Sequence, residues 1–184
     1  WLVSRGIKEA ALVNLMATIA KIIPLVIFII FSFVAFKLEL FKLNFLDTSL
    51  QMPVWQQVRD VMLITLWVFT GIEGAVVLSS RAKKRNDIGK ATLLGVLLAL
   101  AFYVMVTVLA YGINIRSEIA GMHNPSMATI LGQLIGIPGT FVITLGLIIS
   151  VSSSYLSWTL FATEIPYLAA KNGAFPKIFL KTNQ

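Results

Sequence analysis

The sequence has no cysteine, one histidine and few charged side chains among its 184 residues. The absence of cysteine excludes a disulfide framework and a thiolate metal site. Charged residues make up only 12% of the chain, whereas a soluble domain usually contains about 25%. Because 58% of the residues are hydrophobic, polar side chains are too few to cover a water-exposed surface. We therefore expect lipid rather than water around most of the chain.

The residue patterns that carry catalysis are missing as well. The single histidine, His123, falls in a predicted loop without a partner, and no helix carries paired carboxylates. No glycine-rich nucleotide-binding loop is present. Since catalysis needs a convergent set of acids, bases or nucleophiles, the sequence predicts no enzyme, no cofactor and no metal.

Long apolar runs are the main feature that is present. Crossing the hydrocarbon core of a bilayer takes about 20 mostly apolar helical residues. Four segments qualify, at about 11–36, 61–80, 91–113 and 138–170. Barrel strands would be about 10 residues long and alternate in polarity, whereas residues 93–110 are apolar on every face. The sequence therefore predicts an all-α integral membrane chain, 1–184, that forms part of a single transmembrane domain.

The fifteen lysine and arginine residues are distributed unevenly between the spans. Ten of them precede the first span, follow the fourth, or lie in the 81–90 loop. The two other loops hold four basic and four acidic residues. Because excess lysine and arginine marks the cytoplasmic side, we expect both chain ends and the 81–90 loop to be cytoplasmic, in a multi-pass protein of the cytoplasmic membrane. The net charge of +7 then indicates topology and contact with anionic lipid, not nucleic acid.

Two segments outside the spans carry further expectations. Trp1 is not an initiator methionine and residues 1–9 contain no apolar run, so we expect an internal segment of a longer protein without a signal peptide. Residues 124–136 are amphipathic but too short to span. They predict a short helix on the outer face, capped near Asn124 with Pro125 in its first turn.

Three ionisable side chains fall inside the predicted spans: Lys21, Glu73 and Glu164. A charge at the bilayer centre costs roughly 3 kcal/mol on insertion scales. Such residues usually face the protein interior or a water-filled path, so each is a candidate functional residue. Glu164 lies towards the cytoplasmic end of its span, where an interfacial position paired with a lysine is the alternative.

Lys21 belongs to a polar seam on the first span. Asn14 and Thr18 precede it by seven and three residues, which places the three side chains on one helical face. Pro24 follows and removes one backbone hydrogen bond. The seam predicts either a coupling role for Lys21 or a structural lysine bonded to a neighbouring carbonyl or hydroxyl.

The second span contains the sequence W-V-F-T-G-I-E-G at 67–74. Gly71 and Glu73 fall in a stretch where glycine weakens the helix, which is tolerated at this depth only beside a cavity. Broken helices of this kind build the binding sites of secondary transporters. Trp67 is close enough to line the same cavity as Glu73 if the helix unwinds between them, and an aromatic face beside a carboxylate suits a cation. A packing face with a bonded glutamate is the alternative.

The fourth span carries six hydroxyl side chains and a tyrosine within residues 150–159. Serines in membrane helices often bond within or between helices, so packing is one explanation. The other is that Ser153, Ser154 or Ser157 meets Lys21 or a bound ion.

Four stretches resemble the basic amino acid/polyamine antiporters of the amino acid–polyamine–organocation superfamily. They are 67–74, the loop 84–86 with 88–92, S-W-T at 157–159, and A-A-K-N-G-A-F-P-K-I-F at 169–179. They occur in the family's order and cover nearly the whole chain. Within the family, the amino-acid sequence of these stretches is most similar to that of the arginine/ornithine exchangers.

The resemblance implies a twelve-helix, inverted-repeat fold of the leucine-transporter type, of which this chain would supply about helices 5 to 8. It implies that Trp67 gates the substrate, that Thr70 and Gly71 lie in the unwound stretch, and that Glu73 belongs to the inner gate or proton pathway. Trp158 would line the pocket for the substrate's side chain.

The resemblance also implies a coupling role for part of the polar seam. Some members carry a lysine at the position of Lys21, where sodium-coupled members hold an ion beside serines of helix 8. Ser153 and Ser154 are the matching serines here.

The function expected from the resemblance is exchange of arginine for a related amine or amino acid such as ornithine. A proton-coupled uptake permease and an amino-acid sensor built on a transporter fold are the alternatives. The expected partners are a small amino acid or polyamine and membrane lipid, and a homodimer of the whole protein is compatible with the sequence.

Overall fold

A computed structural model describes residues 7–45, 52–77 and 85–181, and every regular element within these ranges is helical. In chain order the elements are α1 (Ile7–Ala35), α2 (Leu38–Phe45), α3 (Val54–Val68), α4 (Gly74–Val77), α5 (Arg85–Tyr111), α6 (Arg116–Gly121), α7 (Ser126–Ile135) and α8 (Ile137–Lys171), followed by a 3-10 turn at Lys177–Leu180. This architecture confirms the prediction of an all-α chain.

Three of the described helices are long and apolar enough to cross a membrane. The qualifying stretches are Ala11–Ala35, Asp87–Tyr111 and Ile137–Lys171, the first two of 25 residues and the third of 35. A helix rises 1.5 Å per residue, so 25 residues exceed the roughly 30 Å of the hydrocarbon core. Large apolar side chains such as Phe33 and Val34 are exposed on their outer surfaces, which suits contact with lipid.

The second predicted span, 61–80, is interrupted. Helix α3 ends at Val68, a turn occupies 69–73, and α4 continues only from Gly74 to Val77. None of the residues in α3 is buried. The end of this predicted span, the basic residues of 81–84 and the first six residues of the chain lie outside the described ranges.

The described core lies where α1, α7 and α8 meet. Phe28 of α1 and Ile130 of α7 are fully enclosed there, together with Ile143 of α8. A glycine allows α1 and α8 to approach closely, since a Cβ added to Gly146 would lie 2.5 Å from Cγ of Pro24. Small residues at helix crossings are a common device of membrane proteins, where van der Waals packing drives helix association.

The predicted outer-face helix differs from its expectation. Helix α7 begins at Ser126, so Pro125 occupies the capping position rather than the first turn, and no side chain caps the helix. Ala128, Ile130 and Leu131 of this helix are buried. Its apolar face therefore packs into the core, which explains the amphipathic pattern.

Two short helices that the sequence did not suggest, α2 and α6, are joined by Asn44. Its amide Nδ2 donates to the carbonyls of Tyr111 (2.7 Å) and Asn114 (3.0 Å). Its Oδ1 accepts from the backbone N–H of Arg116 at 2.8 Å. Asn44 thereby satisfies backbone groups between α5 and α6 that no helix satisfies.

Candidate functional site

The site is organised by the interruption after Val68. Gly71 has φ of +108°, a backbone conformation that glycine adopts without the strain imposed by a side chain. Its N–H donates to Oε2 of Glu73 at 2.9 Å, and its carbonyl accepts from the N–H of Gly74 at 3.0 Å. The chain therefore leaves the helix at Phe69, turns through Gly71 and re-enters a helix at Gly74.

A cleft of about 410 Å³ opens beside this turn. Residues 68–72 form one wall, and the other walls come from Lys21 of α1 and from one face each of α5 and α8. The polar and aromatic side chains of the wall are Lys21, Phe69, Thr70, Thr92, Tyr103, Ser154, Ser157, Trp158 and Phe161. One cation, several hydroxyl groups and aromatic rings thus surround a segment whose backbone is not in a regular helix.

Phe161 connects the turn to the aromatic wall of α8. Its ring packs against Trp158 edge to face, with centroids 5.9 Å apart and planes at 80°. The same ring lies so close to Gly74 that an added Cβ would be 2.6 Å from Cε2 and nearer still to Cζ. The second glycine of the interrupted segment therefore permits contact between the turn and α8.

The polar seam of α1 pairs with the serines of α8. Oδ1 of Asn14 accepts a 2.6 Å hydrogen bond from the hydroxyl of Ser153, and the hydroxyl of Ser157 lies 3.2 Å from the same oxygen. Ser153 is only 4% exposed. Thr18 donates to the carbonyl of Asn14 at 2.8 Å. Packing between helices therefore accounts for Ser153.

Lys21 lies two helical turns from Asn14, where the seam reaches the cleft. Its side chain lines the cleft together with Ser154 and Ser157. Within the described ranges, its ammonium group makes neither a hydrogen bond nor an ion pair; the ion pair found there joins Arg59 to Asp60. Among the described residues, the side chain of Lys21 thus faces the cleft without a bonded partner.

Five of the predicted site residues come together in this cleft. They are Lys21, Thr70, Gly71, Ser154 and Trp158. Ser153 is buried behind the wall, and its hydroxyl bonds to Asn14.

Trp67 and Glu73 do not contribute to the described wall of this cleft. Trp67 is 80% exposed and lies on the last turn of α3. The glutamate folds back onto the amide of Gly71. The described wall thus does not bring Trp67 and Glu73 together, although the sequence predicted that both could line one cavity.

Glu164 is only 4% exposed within α8, and its interfacial position and its pairing with a lysine stay predictions. Its side chain is not part of the cleft wall. Glu164 is thus buried, whereas Glu73 is exposed.

Tyr103 is the wall residue that the sequence reasoning missed. It projects from α5 into the cleft, and its phenol can both donate and accept a hydrogen bond. A signal existed in the sequence, because Tyr103 places an aromatic hydroxyl in the middle of an apolar span. Thr92, about three turns earlier on the same helix, lines the cleft as well.

Comparison with known proteins shows the family to which the chain belongs. The family model described as amino acid permease matches residues 1–184. The chain is 51% identical to a putative arginine/ornithine antiporter of Escherichia coli (strain K12) over 183 residues, which cover all of this chain and 40% of the relative. It is 44% identical to an arginine/ornithine antiporter of Pseudomonas aeruginosa over 185 residues, covering all of this chain and 38% of that protein.

A relative that is named for a different exchange is similar as well. The chain is 43% identical to an arginine/agmatine antiporter of Chlamydia caviae over 189 residues, covering all of this chain and 39% of that protein. The chain thus spans about two fifths of the length of the curated relatives it matches. Its helical architecture, its membrane-length helices and the match along its full length show that this chain, a multi-pass membrane protein, belongs to the amino acid permease family.

Proposed function

We propose that the chain forms part of a secondary transporter that exchanges arginine for ornithine or a related amine across the cytoplasmic membrane. The observation that carries this proposal is the cleft in which the interrupted segment 68–72 faces Lys21 and Trp158. Transporters commonly place substrates at such interruptions, because irregular backbone offers hydrogen-bonding groups at membrane depth. The names of the relatives support a basic amino acid as the substrate.

The cleft supplies groups that suit an arginine side chain. Trp158 is half exposed, and a guanidinium group stacks favourably on the face of a tryptophan ring. Thr70 and Tyr103 provide hydroxyl groups on the walls beside it. We assign the substrate's side chain to the Trp158 wall and its polar end to the turn at Gly71.

Gating belongs in this proposal to the two residues beside the cleft. Trp67 stands at the end of α3, directly before the turn, so a rearrangement of the turn would move its ring. Glu73 holds the turn through the N–H of Gly71. We assign Trp67 to the substrate gate and Glu73 to the inner gate or a proton pathway.

Lys21 takes the coupling role in this proposal. Its ammonium provides a fixed positive charge where α1 and α8 meet at the cleft. Ser154 shares that wall, while Ser153 secures α1 to α8 through Asn14. A tethered cation of this kind can replace a bound metal ion in holding the two helices together during transport.

The topology of the whole protein forms the last part of the proposal. We place this chain at about helices 5 to 8 of a twelve-helix, inverted-repeat transporter, with the interrupted segment 61–80 as one of four crossings. Both chain ends and the 81–90 loop lie in the cytoplasm, as the distribution of basic residues favours.

Counterflow in vesicles tests the proposed function. The full-length protein is reconstituted and loaded with labelled ornithine, and external arginine is expected to accelerate its release. A proton-coupled permease would instead accumulate arginine in vesicles without internal substrate, and a sensor would bind arginine without moving it. Release that ignores external arginine and every other basic amino acid would refute exchange.

A further inference from the structure

The described wall of the cleft carries positive charge. Lys21 is its one fully charged residue, and the other lining side chains are hydroxyl, aromatic or aliphatic. Neither aspartate nor glutamate is among the described lining residues. A ligand in the cleft therefore meets an ammonium group that no wall carboxylate balances.

The two acids of the predicted spans, Glu73 and Glu164, are not part of the described wall. The carboxylate of Glu73 accepts a hydrogen bond from the N–H of Gly71 and does not line the cleft. Glu164 is buried within α8 away from the wall. Lys21 thus lines the cleft directly, whereas the carboxylate of Glu73 is bonded to the N–H of Gly71 and is not part of the described wall.

This asymmetry distinguishes two kinds of basic compound. Arginine and ornithine carry two positive groups and one carboxylate, whereas agmatine and 1,4-diaminobutane are the corresponding amines without the carboxylate. The amines therefore bring one more unit of net positive charge and nothing that attracts an ammonium group. Interactions between charges are much stronger in a partly desolvated cleft than in water.

We propose that Lys21 makes this cleft selective for basic amino acids that retain their carboxylate, over decarboxylated amines of the same length. This deepens the proposed function by naming the substrate class of the same cleft, and it rests on that function. Lys21 acts by attracting the carboxylate and repelling the additional net charge of an amine. Relatives named for both kinds of exchange make this distinction meaningful within the family.

Competition binding on the purified full-length protein tests the proposal without requiring turnover. Labelled arginine is displaced by unlabelled arginine or agmatine, and ornithine and 1,4-diaminobutane serve as the second pair. For the wild type we expect agmatine to bind at least about tenfold more weakly than arginine, which corresponds to about 1.4 kcal/mol. Lys21→Met is expected to reduce the ratio of arginine affinity to agmatine affinity about tenfold, and Lys21→Arg is expected to preserve that ratio.

Two further substitutions separate charge in the cleft from charge in general. Lys37→Met removes an exposed lysine just beyond the end of α1, and the ratio is expected to stay unchanged. Glu73→Gln removes a negative charge that is not part of the described wall, so it is expected to shift the ratio in the opposite direction from Lys21→Met and by less than Lys21→Met does. Lys21→Gln provides the same measurement if the methionine variant does not fold.

The outcomes distinguish this inference from the proposed function. A wild-type protein that binds agmatine as tightly as arginine overturns the selectivity assigned to Lys21. The same selectivity is overturned if Lys21→Met and Lys21→Gln both keep the ratio of arginine affinity to agmatine affinity within about twofold of the wild-type ratio. A wild type that neither binds nor exchanges any basic amino acid refutes the proposed function itself and this inference with it.

Discussion

Substitution of Gly74 by alanine tests whether the contact between the turn and α8 shapes the site. An added Cβ would lie 2.6 Å from Cε2 of Phe161, whereas carbon atoms normally approach to about 3.5–4.0 Å. The ring must therefore move by about 1 Å or more. Because Phe161 packs edge to face on Trp158, the displacement passes to the aromatic wall of the cleft.

The expected cost follows from these contacts. Overpacking a well-packed site costs typically 1–3 kcal/mol, and the edge-to-face contact itself contributes about 0.5–1.5 kcal/mol. A loss of about 1.4 kcal/mol corresponds to a tenfold change. We therefore expect Gly74→Ala to weaken arginine binding by about tenfold and to slow exchange.

A second substitution makes the test specific. Phe161→Leu removes the ring atoms that meet the new methyl group, so the double variant Gly74→Ala/Phe161→Leu should bind arginine better than the sum of the two single losses predicts. Gly89→Ala is the matched control, because a Cβ there meets nothing within 4 Å. Replacing glycine within a helix should also stabilise the protein slightly.

The measurements are arginine binding and counterflow by the full-length protein in vesicles, normalised to the amount reconstituted. Thermal unfolding in detergent separates loss of fold from loss of function. The reasoning is refuted if Gly74→Ala binds arginine like the wild type. It is also refuted if the losses from Gly74 and Phe161 add independently, because the two residues would then not be in contact.

Three other substitutions test separate parts of the account. Glu73→Gln keeps an oxygen that can accept the hydrogen bond of the turn, so we expect intact thermal unfolding but slower exchange with a changed pH profile; an unchanged rate at every pH contradicts this. Asn14→Leu leaves the buried hydroxyl of Ser153 without its acceptor, which costs about 1–3 kcal/mol and should lower the melting temperature. Asn44→Ala removes three hydrogen bonds to backbone groups and should lower it too, while exposed Ser117→Ala should not; equal melting temperatures would contradict both.

The all-α membrane architecture was predictable because apolar runs report directly on the surrounding medium. The ends of the helices were harder to predict from the sequence. The sequence predicts a span from 11, but α1 begins at Ile7, since lysine and glutamate are good helix formers and hydropathy does not register them. Helices α2 and α6 have only eight and six residues, so neither periodicity nor length revealed them.

The existence of an interruption in the second span followed from its glycines, but its geometry did not. Whether Trp67 or Thr70 faces the cleft depends on the turn at Gly71. A sequence shows that glycine permits positive φ and does not show which residue adopts it. Trp67 and Glu73 were therefore expected in one cavity, but neither lies in the described wall, whereas Thr70 does.

The other walls of the cleft depend on packing between helices. Helix α5 is apolar on every face, so periodicity could not indicate that Tyr103 points towards the cleft. Among the serines of α8, one turn separates Ser153 from Ser157, and both reach Asn14, while Ser154 on the adjacent face lines the cleft. The sequence showed the cluster of serines. The position of α1 determines which of them bond to Asn14 and which line the cleft.

Protection of a cysteine placed in the cleft by substrate is the most direct test that this cleft binds the transported amino acid. Ser154 lines the cleft, whereas Ser152 is exposed and bonds back to the carbonyl of Ile148. In a cysteine-free full-length protein, a thiol reagent should label both Ser154→Cys and Ser152→Cys. The account predicts that arginine slows labelling at position 154 and leaves position 152 unaffected. Equal labelling rates at position 154 with and without saturating arginine would contradict it.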